Sequence, residues 1–576
     1  MKSMRKFTAY LFVISIFLSF IPHQTQIIAA AREPARGKHA MVASQSKLAS
    51  QIGVDVLKRG GNAIDAAVAV ALALAVAYPE AGNLGGGGFM LIRFRDGRTT
   101  SIDYRERAPQ AASRNVFVNK NGELLKGEGS STVGYRASGV PGTPAGLDYA
   151  FKKYGSKKIK WAELVEPARA LAQNGFVLSD RLANLFQTYK GTLSKYDDSK
   201  RIFLNGGKFF EEGDILKQPE LAQTLSRIET GGGREFYEGE TARLIAADMK
   251  AHNGLITAED LKNYQPSERV PLRGTYRGYE IITMPPPSSG GIVMLQTLNM
   301  LEKYDVRAMN FASSEKYHIL TESLRRAFAD RSEWMGDPDF TSVPVAELIS
   351  KNYADARRST IDLNRATKSS DVKAGLVAGK EPTETTHFTI VDADGNVVTN
   401  TYTINDLYGS RVTAKGTGVL LNDEMDDFAA QPGKANMFGL IQGEKNAVEP
   451  RKRPLSSMTP TIVLRKDGSL WFALGARGGP RIITAVLQTV INVIDHDMDI
   501  QQAIDAPRIH HQWFPDEIVS EPFGMSSDTR KALENLGHKF SASPAYIASA
   551  TGIMIDEKGV RLGAIDSRSD GEAIGY

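Results

Sequence analysis

From residue 385 the chain alternates polar and apolar side chains, Thr-His-Phe-Thr-Ile-Val after a first threonine, and β-branched residues return at period two from Val397 to Ile404. Asp394-Gly395 sits between the two runs, so the pattern predicts a β-hairpin. Upstream, 364–384 is rich in Lys, Ser, Ala, Gly and Glu and has no sustained apolar period, which predicts an exposed tether. A threonine thus heads a strand directly after a loose segment.

Elsewhere the pattern alternates helices with strands. Residues 64–78 are apolar almost all round, as in a buried helix with no wet face. Four glycines at 85–88 lead into a strand at 89–94, read as close backbone packing because no complete G-x-G-x-x-G follows, and 99–104 predicts a strand that delivers Arg105 and Glu106 at its end. Residues 144–303 are mainly helical, with amphipathic stretches at 161–173 and 220–228, and helical spacing returns at 291–304 and 316–335. A strand at 279–283 enters Pro285-Pro286-Pro287, read as a rigid structural turn. Past the hairpin, the pattern predicts a strand at 416–422, an acidic stretch at 423–427, a loop at 431–453, a hairpin pairing 461–464 with 469–474, and a helix at 481–494 opened by a glycine-rich junction.

Residues 1–31 read as a secretory signal: Lys2, Arg5 and Lys6, an apolar run over 9–21, then Ala29-Ala30-Ala31 as a small-residue cleavage site. The run is shorter than the ~20 residues of a membrane span, so export without a stable membrane anchor is expected, to the periplasm or the medium. The 576-residue chain carries 70 Lys and Arg against 66 Asp and Glu, for a net charge of +4. Removing the leader's three cations leaves about +1, too little to imply nucleic acid as a partner. There is no cysteine, which excludes disulfides, Cys nucleophiles and Cys-ligated metals.

Among catalytic schemes, metal hydrolysis lacks an H-E-x-x-H, and the adjacent His510 and His511 read as packing or surface residues. Ser44 to Lys47 matches S-x-x-K without its companion signatures and reads as a chance match, and no P-loop is present. No metal and no cofactor is expected. Thr385 remains. Cut before it, the chain would present a hydroxyl and a free α-amine on one residue, the nucleophile and base of N-terminal-threonine enzymes.

Thr385-Thr386-His387-Phe388-Thr389, Asn405 twenty residues on and Pro454-Leu455-Ser456-Ser457-Met458 resemble the γ-glutamyltransferases. So do Gly85 to Met90, Asp103 to Glu106, Pro285 to Gly291 and Ala506-Pro507-Arg508, so the resemblance spans nearly the whole mature chain. It implies an α/β fold, the four-layer αββα sandwich of the N-terminal-nucleophile hydrolase type, made as one precursor and processed into two intertwined subunits. The expected parts are a signal peptide (1–31), a large subunit (32–384) and a small catalytic subunit (385–576), with cleavage between Glu384 and Thr385. The implied donors are glutathione and other γ-glutamyl compounds, with water, amino acids or peptides as acceptors.

The resemblance also implies roles. Thr385 is the nucleophile, oriented by Thr403, which sits two residues before Asn405 and is expected on the same strand face. Arg105 with Ser456 and Ser457 takes the donor's α-carboxylate, and Asn405, Glu424 and Asp427 take its ammonium. The amides of Gly478 and Gly479 form the oxyanion hole. Ala476 and Arg477 stand where many relatives have Ser and Pro, and Phe438 stands in the lid loop where many have a tyrosine that reaches Asn405, so Asn405 is expected to lose one partner. Two other readings stay open: a related acylase acting on cephalosporins or poly-γ-glutamate, and a non-catalytic exported binding protein.

Overall fold

Alternation in the predicted hairpin becomes two adjacent central strands in a computed structural model that describes residues 32–373 and 385–576. The expected leader and Glu384 lie outside the described residues. Thr386–Val391 and Val397–Thr403 pair antiparallel with Val391 opposite Val397, and Asp392 closes the turn by accepting from the amides of Asp394 and Asn396 at 3.0 and 2.8 Å. Every residue of both strands is buried. Met41–Ser44 pairs on one side and Gly87–Arg93 on the other, and the sheet of seven antiparallel strands is completed by Glu572–Gly575, Thr99–Asp103 and Ser267–Arg269.

A second antiparallel sheet of seven strands runs Ala35–Gly37, Arg561–Ile565, Ser549–Ile555, Leu470–Arg477, Thr461–Leu464, Tyr279–Thr283, Leu272–Tyr276. Both sheets mix strands from before and after Thr385, so a cut there would leave two fragments woven through each other. Met41, Leu91, Val391, Ile462 and Ala473 form an apolar layer joining the sheets. Helices cover the outer faces. Ala63–Ala77, buried at every position as its apolar pattern requires and capped by Asn62, lies in the core cluster of the first sheet, and Gly290–Leu301 and Arg481–His496 lie in that of the second. Among the described residues no helix is long and apolar enough to cross a membrane, and no group of three His, Cys, Asp or Glu side chains could hold a metal ion.

The glycines at 85–88 are needed for approach: a Cβ on Gly86 would lie 1.9 Å from the Thr403 carbonyl, and one on Gly87 would lie 2.4 Å from that of Tyr104. Two expectations are corrected. The strand expected at 416–422 is only Val419–Leu420, paired with Thr413–Ala414, because Gly416 and Gly418 adopt positive φ and turn the chain. The tether is not loose over its first half. Ala366 donates to the Leu536 carbonyl (2.7 Å), Thr367 binds the buried Glu322, the Ser369 amide donates to Asp516 (2.8 Å) and Trp513 donates to the Ser369 carbonyl (2.8 Å). Composition missed this because the partners are buried polar groups distant in sequence.

Candidate active site

Thr385 immediately precedes the central strand and is buried. It lines a small pocket together with Arg105, Thr403, Asn405, Glu424, Asp427, Phe438, Ser456, Ser457 and Gly479. Ten of the residues singled out from the sequence thus share one cavity although they come from far-apart segments. Gly478 adjoins the cavity without lining it, and Glu384 lies outside the described residues.

Each group is held by local chemistry. The strand ends at Thr403, and Asn405 is not on its face as expected: it adopts a left-handed φ of 76°, and its amide donates to Thr403 Oγ1 at 2.9 Å. Asn405 Nδ2 then donates to the Asp423 carbonyl (3.1 Å) and meets Met437 Sδ (3.7 Å), a weak acceptor beside Phe438. Gly478 and Gly479 follow the strand Leu470–Arg477 with φ of 131° and 53°, and a Cβ on Gly478 would strike Ala548 at 2.9 Å. Arg477, buried, lays its guanidinium over the Tyr78 ring at 5.8 Å. Its side chain is thereby engaged by an aromatic face, and the two glycines keep their places.

Acidic 423–427, which in isolation would pass as a solvated loop, is a buried turn. Arg105, fully buried, donates to Glu424 from Nη1 and to Asp427 from Nη2, while its Nε and Nη2 also reach the carbonyls of Pro454 (3.3 Å) and Leu455 (3.2 Å). Arg105 and the two acids expected at the opposite end of the donor are therefore one interlocked unit, not two opposed walls. Burial works against the Arg105 charge, but Glu424, Asp427 and Glu106 outweigh it and hold its pKa above the ordinary value. Burial pushes Glu424 well above the usual carboxylate range and also raises Asp427, each against the pull of Arg105, and lifts Glu106 to about 7.

The loop 431–453 closes on this turn. Met437 N donates to Asp426 Oδ2 (2.7 Å), Gln442 and Asn446 donate to the Asp427 carbonyl, and Gln512 Nε2 donates to the Phe438 carbonyl (3.2 Å), leaving Phe438 buried over the pocket. Asp426 also accepts from Ser131 (2.6 Å), and burial raises it to about 7. Between its unfolded value near 4 and about 7, the folded state keeps a proton that the unfolded chain has released, so stability falls as pH rises through that window. Glu106 adds a slope of the same sign. We expect Asp426→Asn to remove its share, up to about tenfold in the unfolding constant per pH unit. Denaturant melts of both proteins from pH 4 to 7 check this, and parallel pH slopes would contradict it.

Sequence reasoning missed two groups. Arg331, near the end of the helix Ser314–Trp334, donates to Ser289 Oγ (2.8 Å) and approaches Ser457 Oγ (3.5 Å). Ser289 in turn donates from its amide and hydroxyl to the Ser456 carbonyl (2.7 and 2.6 Å), so the proline-rich turn read as purely structural also holds the serine pair. The available signal was Ser288-Ser289 after three prolines; nothing local in the sequence marks Arg331. His387 is no base here: burial lowers it to about 3, and Thr401 and Thr389 hold its ring. His510 and His511 are buried, as the packing reading expects.

The family model described as Gamma-glutamyltranspeptidase matches residues 49–576. The glutathione hydrolase proenzyme of Escherichia coli (strain K12) is 48% identical over 545 residues, which is 94% of this chain and 93% of that protein. The crystal structure of a cephalosporin acylase from Bacillus halodurans superposes with a TM-score of 0.84 at 27% identity, over 97% of this chain and 99% of that one. The crystal structure of Helicobacter pylori gamma-glutamyltranspeptidase gives 0.56 at 46% identity, over 58% of this chain and 94% of that one.

Proposed function

The chain belongs to the gamma-glutamyltranspeptidase family, and from that premise we propose how this member of a glutathione-hydrolysing, γ-glutamyl-transferring family works. It is exported by residues 1–31, and the precursor cuts itself between Glu384 and Thr385 into a large fragment (32–384) and a small one (385–576). Thr385 Oγ attacks the Glu384 carbonyl, the peptide nitrogen leaves as the α-amine of Thr385, and water hydrolyses the resulting ester. In turnover that amine, with a reference pKa of ~7.7 to 8, takes the hydroxyl proton as Oγ attacks the donor's γ-carbonyl. The Gly478 and Gly479 amides receive the oxyanion, and Thr403 orients the nucleophile. The leaving amine departs protonated, and water or the amine of an amino acid or peptide resolves the acyl-Thr385 ester.

One observation carries this reading. Arg105, locked to Glu424 and Asp427 beside Ser456 and Ser457, lies in the wall of the cavity that holds Thr385. Such a unit suits a free amino-acid head group, because each end of a zwitterion meets an opposite charge. The acylase likeness sets the competing reading. We expect kcat/KM on a chromogenic γ-glutamyl anilide to exceed that on a glutaryl cephalosporin, which lacks the ammonium, by roughly 10- to 150-fold, since an unpaired buried charged group costs roughly 1.5–3 kcal/mol. Equal values would favour the acylase, and no turnover of either would favour a binding protein.

Phe438 bears on the fate of the ester. Its ring covers the pocket but offers Asn405 no hydrogen bond, and a neutral hydrogen bond is worth about 0.5–1.5 kcal/mol, enough to change the open population severalfold. Phe438→Tyr should therefore shift products toward transfer at a fixed acceptor concentration without slowing maturation. An unchanged hydrolysis-to-transfer ratio would remove the lid from that role.

A further inference from the structure

Behind the Arg105 segment lies a second cavity, with a free volume of about 280 Å³, that the reaction above does not use. Arg107 forms one wall. Its guanidinium lies 5.6 Å over the Tyr264 ring, its Nε is buried without a partner, and among the described residues its side chain has no ion pair or hydrogen bond. Burial lowers its pKa, and the neighbouring Arg453 adds to that. Arg451, at a φ of 66° and donating a hydrogen bond from its amide to the Ala108 carbonyl (2.9 Å), brings a second guanidinium to the rim. Two arginines without a carboxylate partner among the described residues, Arg107 half-buried and Arg451 exposed at the mouth, are a receptor for one, and the half-buried charge of Arg107 gains most from being paired.

The same cavity excludes a simple anion. Glu259 and Asp260 line the opposite rim. Asp260 is occupied, accepting from the Gln110 amide (2.8 Å) and the Thr257 amide (2.9 Å), whereas among the described residues the exposed Glu259 side chain engages only Asn263 Nδ2 (2.7 Å). Between the charged rims the lining is apolar: Ala108, Val140 and the Tyr264 face. An anion alone would meet the acids and a cation alone the arginines, while a molecule carrying both charges next to an apolar side chain satisfies every wall. At about 280 Å³ the cavity sits at the lower edge of the range of small-molecule sites, about 300–1,000 Å³, which suits a ligand the size of a single amino acid.

We propose that this cavity binds a free amino acid or short peptide with an apolar side chain, its carboxylate on Arg107 and Arg451 and its ammonium on Glu259. The site is coupled to the donor pocket, a second claim that rests on the donor reading of Arg105. Tyr264 OH donates to the Arg105 carbonyl at 2.8 Å. From Arg451 the chain runs through Lys452, whose carbonyl accepts from Ala108 N (2.8 Å), to Pro454 and Leu455, whose carbonyls hold the Arg105 guanidinium. Both walls of the cavity are thus a few residues from the groups that fix Arg105, so occupancy should tighten the donor pocket, and binding at each site should strengthen the other by the same factor.

Calorimetric titration of the processed enzyme with L-leucine, with the Arg105 pocket saturated by L-glutamate, tests the site. One equivalent should bind, at least about tenfold more weakly in Arg107→Gln and in Ala111→Trp, which fills the cavity without touching a charge. Thermal melts and anilide turnover without leucine verify that both variants fold. No binding up to about 50 mM leucine, or an unchanged Kd in both variants, would overturn the site. The coupling is read separately, as a several-fold lower Kd for L-glutamate when leucine is present. Leucine binding with no such shift would overturn the coupling alone, and loss of glutamate binding in Arg105→Lys identifies the donor pocket independently of either outcome.

Discussion

Thr385→Ala is expected to yield one uncut, folded, inactive chain. Thr385 is buried immediately before a strand whose pairing starts at Thr386 on one side and Phe388 on the other, so the fold does not depend on its side chain, and losing one hydroxyl and one methyl there should cost no more than about 1–2 kcal/mol. The chemistry has no such reserve. Without Oγ there is no ester to form from the Glu384 carbonyl, hence no α-amine and no acyl-enzyme, and turnover should fall by at least about 10⁴-fold. Thr385→Ser keeps a hydroxyl and should still cleave, more slowly because serine's extra rotamer freedom leaves Oγ less often aligned. A gel resolves all three proteins, and two fragments from the alanine variant would contradict the scheme.

Arg105→Lys should raise KM for the donor by roughly 10- to 150-fold, about 1.5–3 kcal/mol of lost charge-assisted bonding, with kcat changed less. The structure gives the cause a second part. Arg105 spans Glu424 and Asp427 with separate nitrogens and borrows the Pro454 and Leu455 carbonyls for the rest of its fork. A lysine ammonium is one point and cannot hold both acids in place. The acid it releases, already raised by burial, takes a proton, which limits the stability loss but leaves the ammonium of the donor facing a neutral group. The defect should therefore ease as pH rises, because deprotonation restores the charge. An unchanged KM would remove Arg105 from donor binding.

Local patterning revealed much of this molecule because its functional strands obey simple periodicity. The hairpin at Thr385, the buried helix Ala63–Ala77 and the strands Tyr279–Thr283 and Thr461–Leu464 lie where alternation and apolar runs put them. What periodicity cannot express is which charges end up together. Composition alone gave 423–427 to solvent, and only resemblance to a family placed Glu424 and Asp427 in the site; the contact that buries them, to an arginine more than 300 residues away, has no local signature. Arg331 stayed hidden for the same reason. Asn405 was misplaced onto a strand face because a left-handed residue after Thr403 looks no different in sequence from a strand that continues. The clamp on 366–372 shows the converse: a polar, apparently loose composition is compatible with order when buried acids and a tryptophan wait for its backbone.

Everything proposed for catalysis depends on Thr385 becoming a chain terminus. Amino-terminal sequencing of the purified protein, with intact masses of its fragments, tests this most directly. The account predicts a small fragment that begins Thr-Thr-His-Phe-Thr and ends at Tyr576, accompanied by a large fragment ending at Glu384. A single full-length species that turns over γ-glutamyl anilide, or an active small fragment beginning anywhere else, would contradict it.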